Sequence, residues 1–302
     1  LLLVTVSIAA ALAVQEDPIA RARLLAERGQ VAEAMSFLTA STRNEPNAPA
    51  FAYLAELHAV SGGLPQAVDA LSRALDLAPD QDALRATRGA MLFELRRFEE
   101  ARQELELAAA RRPGMALAHY YLGAVYQALG RPGDAEKAAL EAIARSPAPG
   151  AAPLESMQAE PAVAARHLLA EIRFARGENA EPLLREVLAA EPDHASARYL
   201  LARTLQKRGE GEGARRELER FEAVKRAESG LVQARQLLAL GRRADAMAEL
   251  TAAVESCPDH ARALFLLGRE LAREGRRGEA SEIFDRLLAI RPDAAEAVAR
   301  IR

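Results

Sequence analysis

Residues Ala116 to Pro147 read ALAHYYLGAVYQALGRPGDAEKAALEAIARSP. Apolar side chains recur at helical spacing through Leu117, Tyr120, Tyr121 and Ala124, and Gly130 then interrupts the pattern. A second periodic run, Ala135, Ala138, Ala139, Ala142 and Ile143, ends at Pro147. Spacings of three and four put side chains on one helix face, and a lone glycine between two such runs supplies a turn. The stretch therefore predicts two helices joined as a hairpin.

The hairpin recurs along the chain. Pro46, Pro79, Pro113 and Pro147 are 33, 34 and 34 residues apart, Pro258 and Pro292 are again 34 apart, and Pro192 precedes Pro258 by 66. Proline stops a helix and restricts the residue before it, so a regular proline closes the second helix of each pair. Within the period a small residue recurs in the first helix, at Ala22, Ala55, Gly89, Gly123, Ala170, Ala202, Ala234 and Gly268. Another opens the second helix, at Ala34, Ala67, Ala101, Ala135, Ala180, Ala214, Ala246 and Ala280. Four residues on comes a bulky one, Leu38, Leu71, Leu105, Leu184, Leu218, Leu250 or Phe284, with Ala139 the exception. Two backbones approach closely only where side chains are small, and the larger residue fills the space beside them.

A period near 34 with these seams resembles the tetratricopeptide repeat family. The resemblance implies an all-α, right-handed superhelical solenoid of about eight helix-turn-helix repeats, whose concave wall is lined by first helices and binds extended peptides or partner helices. Departures are visible. The aromatic near the start of the first helix is present as Phe51 but replaced by Arg85, His119 and Arg198. The fifth repeat is about two residues short at Gly177-Glu178-Asn179-Ala180. The sixth lacks its closing proline, which predicts a second helix from about Gly213 to Glu228, ending at Ser229-Gly230.

The remaining segments set the expected domain plan. Leu1 to Val14, LLLVTVSIAAALAV, is apolar apart from Thr5 and Ser7 and turns polar at Gln15-Glu16-Asp17. With Ala11-Leu12-Ala13 as a small-x-small site, residues 1–13 read as a secretory signal or the rear of a membrane anchor. Fourteen apolar residues fall short of the roughly 20 a spanning helix needs. Residues 14–147 form a block of repeats 1–4, and 163–292 a block of repeats 5–8. Between them 148–162, rich in Pro and Ala, reads as a linker, and 293–302 as the start of a capping helix. Half the residues are hydrophobic, yet aromatics are 4% and Trp is absent, which suits thin helix interfaces built from small side chains. A net charge of −3 with both signs abundant gives no polyelectrolyte bias towards nucleic acid. The single cysteine, Cys257, can form neither an internal disulfide nor a metal cage.

The family geometry also nominates a wall. One residue past the first small position come Glu56, Ala90, Ala124, Glu171, Arg203, Arg235 and Arg269, and three before it Ala52, Ala86, Tyr120, His167, Tyr199, Leu231 and Phe265. Phe174, Lys207 and Arg273 lie beside them. The candidate partner-binding set is thus Tyr120, His167, Phe174, Tyr199, Arg203, Lys207, Leu231, Arg235, Phe265, Arg269 and Arg273. Arg forks pair with carboxylates and aromatic faces add contact area, so the expected partner is a protein or peptide with an acidic or carboxylate-terminated segment and an apolar anchor. The family's Lys and Asn carboxylate clamp is not reproduced.

Catalytic signatures are missing from the text: no metal-ligand spacing, no nucleophile elbow and no phosphate loop. His194 and His260 sit in equivalent Pro-Asp-His turns, which reads as a repeat feature. The expectation is a non-enzymatic scaffold of the bacterial envelope, exported to the periplasm or secreted, that needs no cofactor and meets a membrane only through an uncleaved N-terminus. The alternative is the helical accessory region of an envelope polysaccharide or peptidoglycan enzyme complex with catalysis elsewhere. A cytosolic scaffold would require the apolar start to pack as a helix.

Overall fold

The computed structural model describes residues 17–146 and 160–301. The expected signal at 1–13 and residues 148–159 of the expected linker lie outside them. Among the described residues there are sixteen α-helices, one 3-10 turn and no strand. The chain divides into two compact units, Leu1–Arg131 and Pro132–Arg302. The first holds α1 (Pro18–Glu27), α2 (Val31–Asn44), α3 (Ala48–Val60), α4 (Leu64–Leu77), α5 (Asp82–Glu94), α6 (Phe98–Arg111) and α7 (Ala116–Ala128). The second opens with α8 (Pro132–Arg145), α9 (Pro161–Ala175), α10 (Glu181–Ala190) and α11 (Ala195–Lys207). It continues with α12 (Gly211–Ala239), α13 (Arg243–Ser256), α14 (Ala261–Arg273) and α15 (Arg277–Ile290), and closes with the 3-10 turn Pro292–Ala294 and α16 (Ala295–Ala299). Pro161 and Ala162, assigned from sequence to the linker, instead open α9, where the Glu160 side chain accepts from the Val163 N–H at 3.1 Å.

Two kinds of turn make the hairpins. Inside a repeat the chain reverses through a left-handed residue, glycine at 29, 62, 130, 177, 209, 241 and 275, and Arg96 in the third repeat. The Gly62 N–H donates to Ala59 O at 3.1 Å and the Gly63 N–H to His58 O at 2.8 Å. This pair of bonds occupies the last free carbonyls of α3 and fixes its end. Between repeats, the residue before proline is forced extended, as at Glu191 (φ −130°) and Cys257 (φ −139°). The His194 N–H then closes a turn onto Glu191 O at 3.1 Å, and the His260 N–H onto Cys257 O at 3.0 Å.

The seams expected from the spacing are present. All sixteen small positions are buried, as are seven of the eight residues four further along the second helix. A Cβ on Gly89 would stand 2.6 Å from Leu105 Cγ, and one on Gly268 would stand 2.6 Å from Phe284 Cε1. These two glycines leave room for the bulky residue opposite.

Leu218 is a correction: it is 39% exposed, with Phe221 against Tyr199 in its stead. The cause is a second correction. Ser229-Gly230 does not end a helix, and α12 runs unbroken for 29 residues, merging the second helix of repeat six with the first of repeat seven. One straight helix serving neighbours along its length keeps a single narrow stripe. Here it is Ala214, Glu217, Phe221, Val224, Ala227, Leu231 and Ala234, in steps of three and four, and Leu218 falls beside it. At the other end, Ala294 and Val298 are buried in one cluster with Phe284 and Leu287, so the last residues cover that core.

The three residues that replace the expected aromatic share a role that the sequence did not show. Arg85 Nη2 donates to Pro79 O at 2.8 Å, the His119 ring nitrogen lies 2.9 Å from Pro113 O, and Arg198 Nε donates to Pro192 O at 2.9 Å. Each reaches six residues back to the proline carbonyl of its own inter-repeat turn.

Candidate functional site

Tyr199, Arg203 and Lys207 follow one another at intervals of four on α11, which lines them up on one face, and all three are exposed. Phe174, near the end of α9, lies beside them. Lys207 Nζ sits 3.7 Å from the Phe174 ring centroid, and the Arg203 guanidinium is 5.9 Å from both the Phe174 and Tyr199 rings. Arg203 Nη1 also donates to the Tyr199 hydroxyl at 3.1 Å. Cations over ring faces are attracted to the π-quadrupole, which holds them in place without neutralising them. Among the described residues no carboxylate pairs with Arg203 or Lys207.

The other nominated residues separate into groups. Arg269 and Arg273 turn onto Glu270, a fully buried carboxylate, at 3.1 and 2.9 Å, and Arg243 Nε approaches the same group at 3.4 Å. Three cations share this one carboxylate, so Arg269 and Arg273 are tied to Glu270 while the group as a whole stays positive. Leu231 and Phe265 are buried in one cluster with Leu250, Leu264 and Phe284 and offer no free apolar anchor, because the continuous α12 carries Leu231 into the packing. Tyr120 belongs to the first unit, half-buried against Tyr121 at 4.9 Å, which in turn meets Phe93 at 6.1 Å. Arg235 is exposed and makes no ion pair among the described residues. Sequence reasoning overlooked Glu270 because nothing in Arg269-Glu270 distinguishes a buried carboxylate from a surface one.

The nominated His167 leads elsewhere. Its ring stacks on His194 with centroids 4.8 Å apart, and burial first, then the neighbouring His194, push its pKa down to about 4. His194 and His260, set aside from sequence, form one side of a cleft of about 420 Å³ lined also by Glu191, Glu228, Arg235 and Arg262. Burial lowers the pKa of both against the opposing pull of Asp193 and Glu228, and burial likewise raises the pKa of the Glu191 carboxyl. Among the described residues no group of three His, Cys, Asp or Glu side chains is placed to hold a metal ion, and no helix is long and apolar enough to cross a membrane.

Two family models, both described as tetratricopeptide repeat, match residues 176–234, and 87–152 with 231–295, together more than half of the chain. The chain belongs to the tetratricopeptide repeat family. The fold similarity agrees with this. A tetratricopeptide repeat protein from Parabacteroides merdae matches at 18% identity and TM-score 0.55, covering 83% of this chain and 96% of that one. PilW, described as a widely conserved type IV pilus biogenesis factor, matches at 19% identity and TM-score 0.50, covering 73% and 98%. No curated protein matches the chain. Within the tetratricopeptide repeat pattern, the proline-carbonyl contacts of Arg85, His119 and Arg198 replace aromatic packing, and α12 replaces two helices and a turn.

Proposed function

We propose that this tetratricopeptide repeat protein is a non-enzymatic scaffold that holds an acidic or carboxylate-terminated segment of a partner protein on the Phe174–Tyr199–Arg203–Lys207 face. One observation carries the reading: two exposed cations, fixed over aromatic rings, have no carboxylate of their own. An anionic side chain or terminus laid there gains charge-assisted hydrogen bonds while its apolar neighbours meet the ring edges. The arginines at 269 and 273 are directed onto Glu270 and lie outside this face. The apolar run Leu1–Val14 supports an exported protein working in a bacterial envelope.

The test is capture from envelope extract on immobilised protein, comparing the natural chain with the pair Arg203→Glu and Lys207→Glu. A control carries Arg215→Glu on the exposed side of α12. A specifically bound partner should elute as salt rises and be lost from the charge-reversed pair while the control retains it. Equal retention and equal salt sensitivity in all three would refute the assignment.

A further inference from the structure

The fifth repeat lacks a turn of helix that the others have. In the other described hairpins the second helix begins two residues after the left-handed turn residue, as Leu64 does after Gly62 and Phe98 after Arg96. Among them α2, α4, α6, α8, α13 and α15 each have 14 residues. After Gly177 the second helix begins only at Glu181, and α10 has 10. Sequence fixes this late start. Gly177 and the small residue Ala180 are three apart where Gly62 and Ala67 are five, and Pro182 is the second residue of α10. Proline is tolerated in a helix's first turn, where its missing N–H has no bond to lose, but not further in. Had α10 opened a turn earlier, Pro182 would lie inside it.

In the third repeat the same place is filled. Phe93 lies four residues beyond Gly89, as Phe174 lies four beyond Ala170. Phe98, the first residue of α6, packs against Phe93 with ring centroids 5.7 Å apart. Beside Phe174, α10 has no residue at that place, and there is instead a hollow of about 150 Å³ walled by the turn 177–179 and by Thr204, Lys207 and Arg208. A cavity of about this volume takes one benzene ring. Most polar groups of its wall are committed. Thr204 Oγ1 donates to Leu200 O at 2.8 Å, Asn179 Oδ1 accepts the Glu181 N–H at 3.1 Å, and Glu178 is 3.9 Å from Arg176. Arg208 pairs with Glu181, and with Glu210 at 2.9 Å. What remains is the Phe174 ring and, 3.7 Å from its centroid, the Lys207 ammonium. The following helix differs too. Arg203 and Lys207 stand one and five residues beyond Ala202, where α7 has Ala124 and Ala128 beyond Gly123. The filled place is followed by alanines and the empty one by two cations.

We propose that the hollow receives the ring of a phenylalanine at the C-terminus of a partner chain, whose carboxylate lies on Lys207 and Arg203. The ring takes against Phe174 the place that Phe98 takes against Phe93. This assignment rests on the charged face binding a carboxylate and narrows its ligand to a chain end. The ammonium and the hollow share the Phe174 ring, so the bound ring and carboxylate must be close neighbours. In an extended segment successive side chains point to opposite faces, and an Asp or Glu next to the phenylalanine would aim away. A terminal phenylalanine carries both groups on one Cα.

Three acetylated tetrapeptides, titrated into the full chain and followed by amide-resolved NMR, separate the two parts: Gly-Ser-Gly-Phe with a free carboxylate, the same peptide with a terminal amide, and Gly-Ser-Gly-Ala with a free carboxylate. The first should shift the amides of 177–179 and Thr204 and saturate. The other two should each bind about tenfold more weakly, one for want of charge-assisted hydrogen bonds and one for want of ring burial. Arg203→Glu with Lys207→Glu should bring the first peptide down to the level of the amide. Replacing residues 178–182 with Gly-Leu-Pro-Gln-Ala-Val-Asp, the sequence of 63–69, restores the full turn. That chain, folded by circular dichroism, should bind the first peptide no better than the alanine peptide. Equal affinity for the phenylalanine and alanine acids would overturn the ring site and leave the charged face standing. Equal affinity for acid and amide, unmoved by charge reversal, would overturn the charged face and the chain-end assignment with it. A restored turn that binds as well as the natural chain would overturn the ring site, and no saturable shift with any peptide would overturn both.

Discussion

At Gly268 two effects of one methyl group oppose each other. Alanine is favoured over glycine in a helix interior by about 1 kcal/mol, but its Cβ would sit 2.6 Å from the Phe284 ring, which has no solvent exposure. Overpacking a closed core costs about 1–3 kcal/mol. Gly268→Ala should therefore lose up to about 2 kcal/mol in urea unfolding, and adding Phe284→Leu should recover part of it; a more stable single variant would show that the seam has slack. Gly62 poses the complementary case, since its Cβ would meet nothing within 4 Å and only its φ of 80° matters. Gly62→Ala should cost about 1–2 kcal/mol from left-handed strain alone. Arg96→Gly, at the one turn where φ of 59° falls on a side chain, should gain less than that. Its guanidinium lies 5.2 Å from the Phe98 ring, a contact worth about 0.5–1 kcal/mol. No stability change at Gly62 would remove strain as the reason for glycine there. These seams were legible because size and spacing alone define them. The roles of Arg85, His119 and Arg198 were not, because the carbonyl each one reaches is presented only once the proline turn exists.

On the scale of the helix, α12 shows how the same dipeptide signal can mean two things. The glycines that reverse the chain inside the described hairpins, at 29, 62, 130, 177, 209, 241 and 275, have positive φ, and Gly230 does not. Its space is filled by approach instead: an added Cβ would lie 3.3 Å from Ala253 Cβ and from Glu249 O. Sequence spacing could not separate a glycine that ends a helix from one that lets another helix come near, so Ser229-Gly230 read as a break. The proline missing at the close of the sixth repeat was the available signal, for without it nothing prevents the next residues from continuing the hydrogen-bond ladder. Ser229→Pro removes one rung and places its ring against the preceding turn, and should cost about 3 kcal/mol or more. Amide exchange gives a milder test on the natural chain. The amides of Ser229 and Gly230 should be protected like those of Ala252 and Ala253, and exchange as fast as at Gly209 would show a hinge in place of a continuous helix. Of the candidate face, the alignment of Tyr199, Arg203 and Lys207 followed from their spacing on α11, whereas the stacking of Arg203 and Lys207 on Phe174 did not. Leu231 and Phe265 were misplaced because a regular repeat was assumed across the fused helix.

For the whole chain, acid should weaken the fold before it touches most carboxylates. His167, His194 and His260 are all more buried than paired, and their pKa values fall below the ordinary value near 6.5, to about 4 for His167. The unfolded chain then binds more protons than the folded one between those lowered values and about 6.5, so stability rises with pH across that window. Read downwards, it is complete above about pH 6.5 and drains away as pH falls towards 4. Two carboxyls act in the opposite sense. Burial raises the pKa of Glu171 and Glu191, so the folded state takes up their protons first and gains stability as the solution becomes acid. Their effect sets in at the raised folded values and is complete below about 4.3, so it offsets part of what the three imidazoles take away. Urea midpoints should therefore decline from pH 7.5 to pH 5.5, and the double variant His194→Asn with His260→Asn should flatten the decline while keeping the midpoint at pH 7.5. A midpoint that holds steady or rises between pH 7.5 and 5.5 would mean that Asp193 and Glu228 outweigh burial, and that the histidines at the two helix starts are held charged.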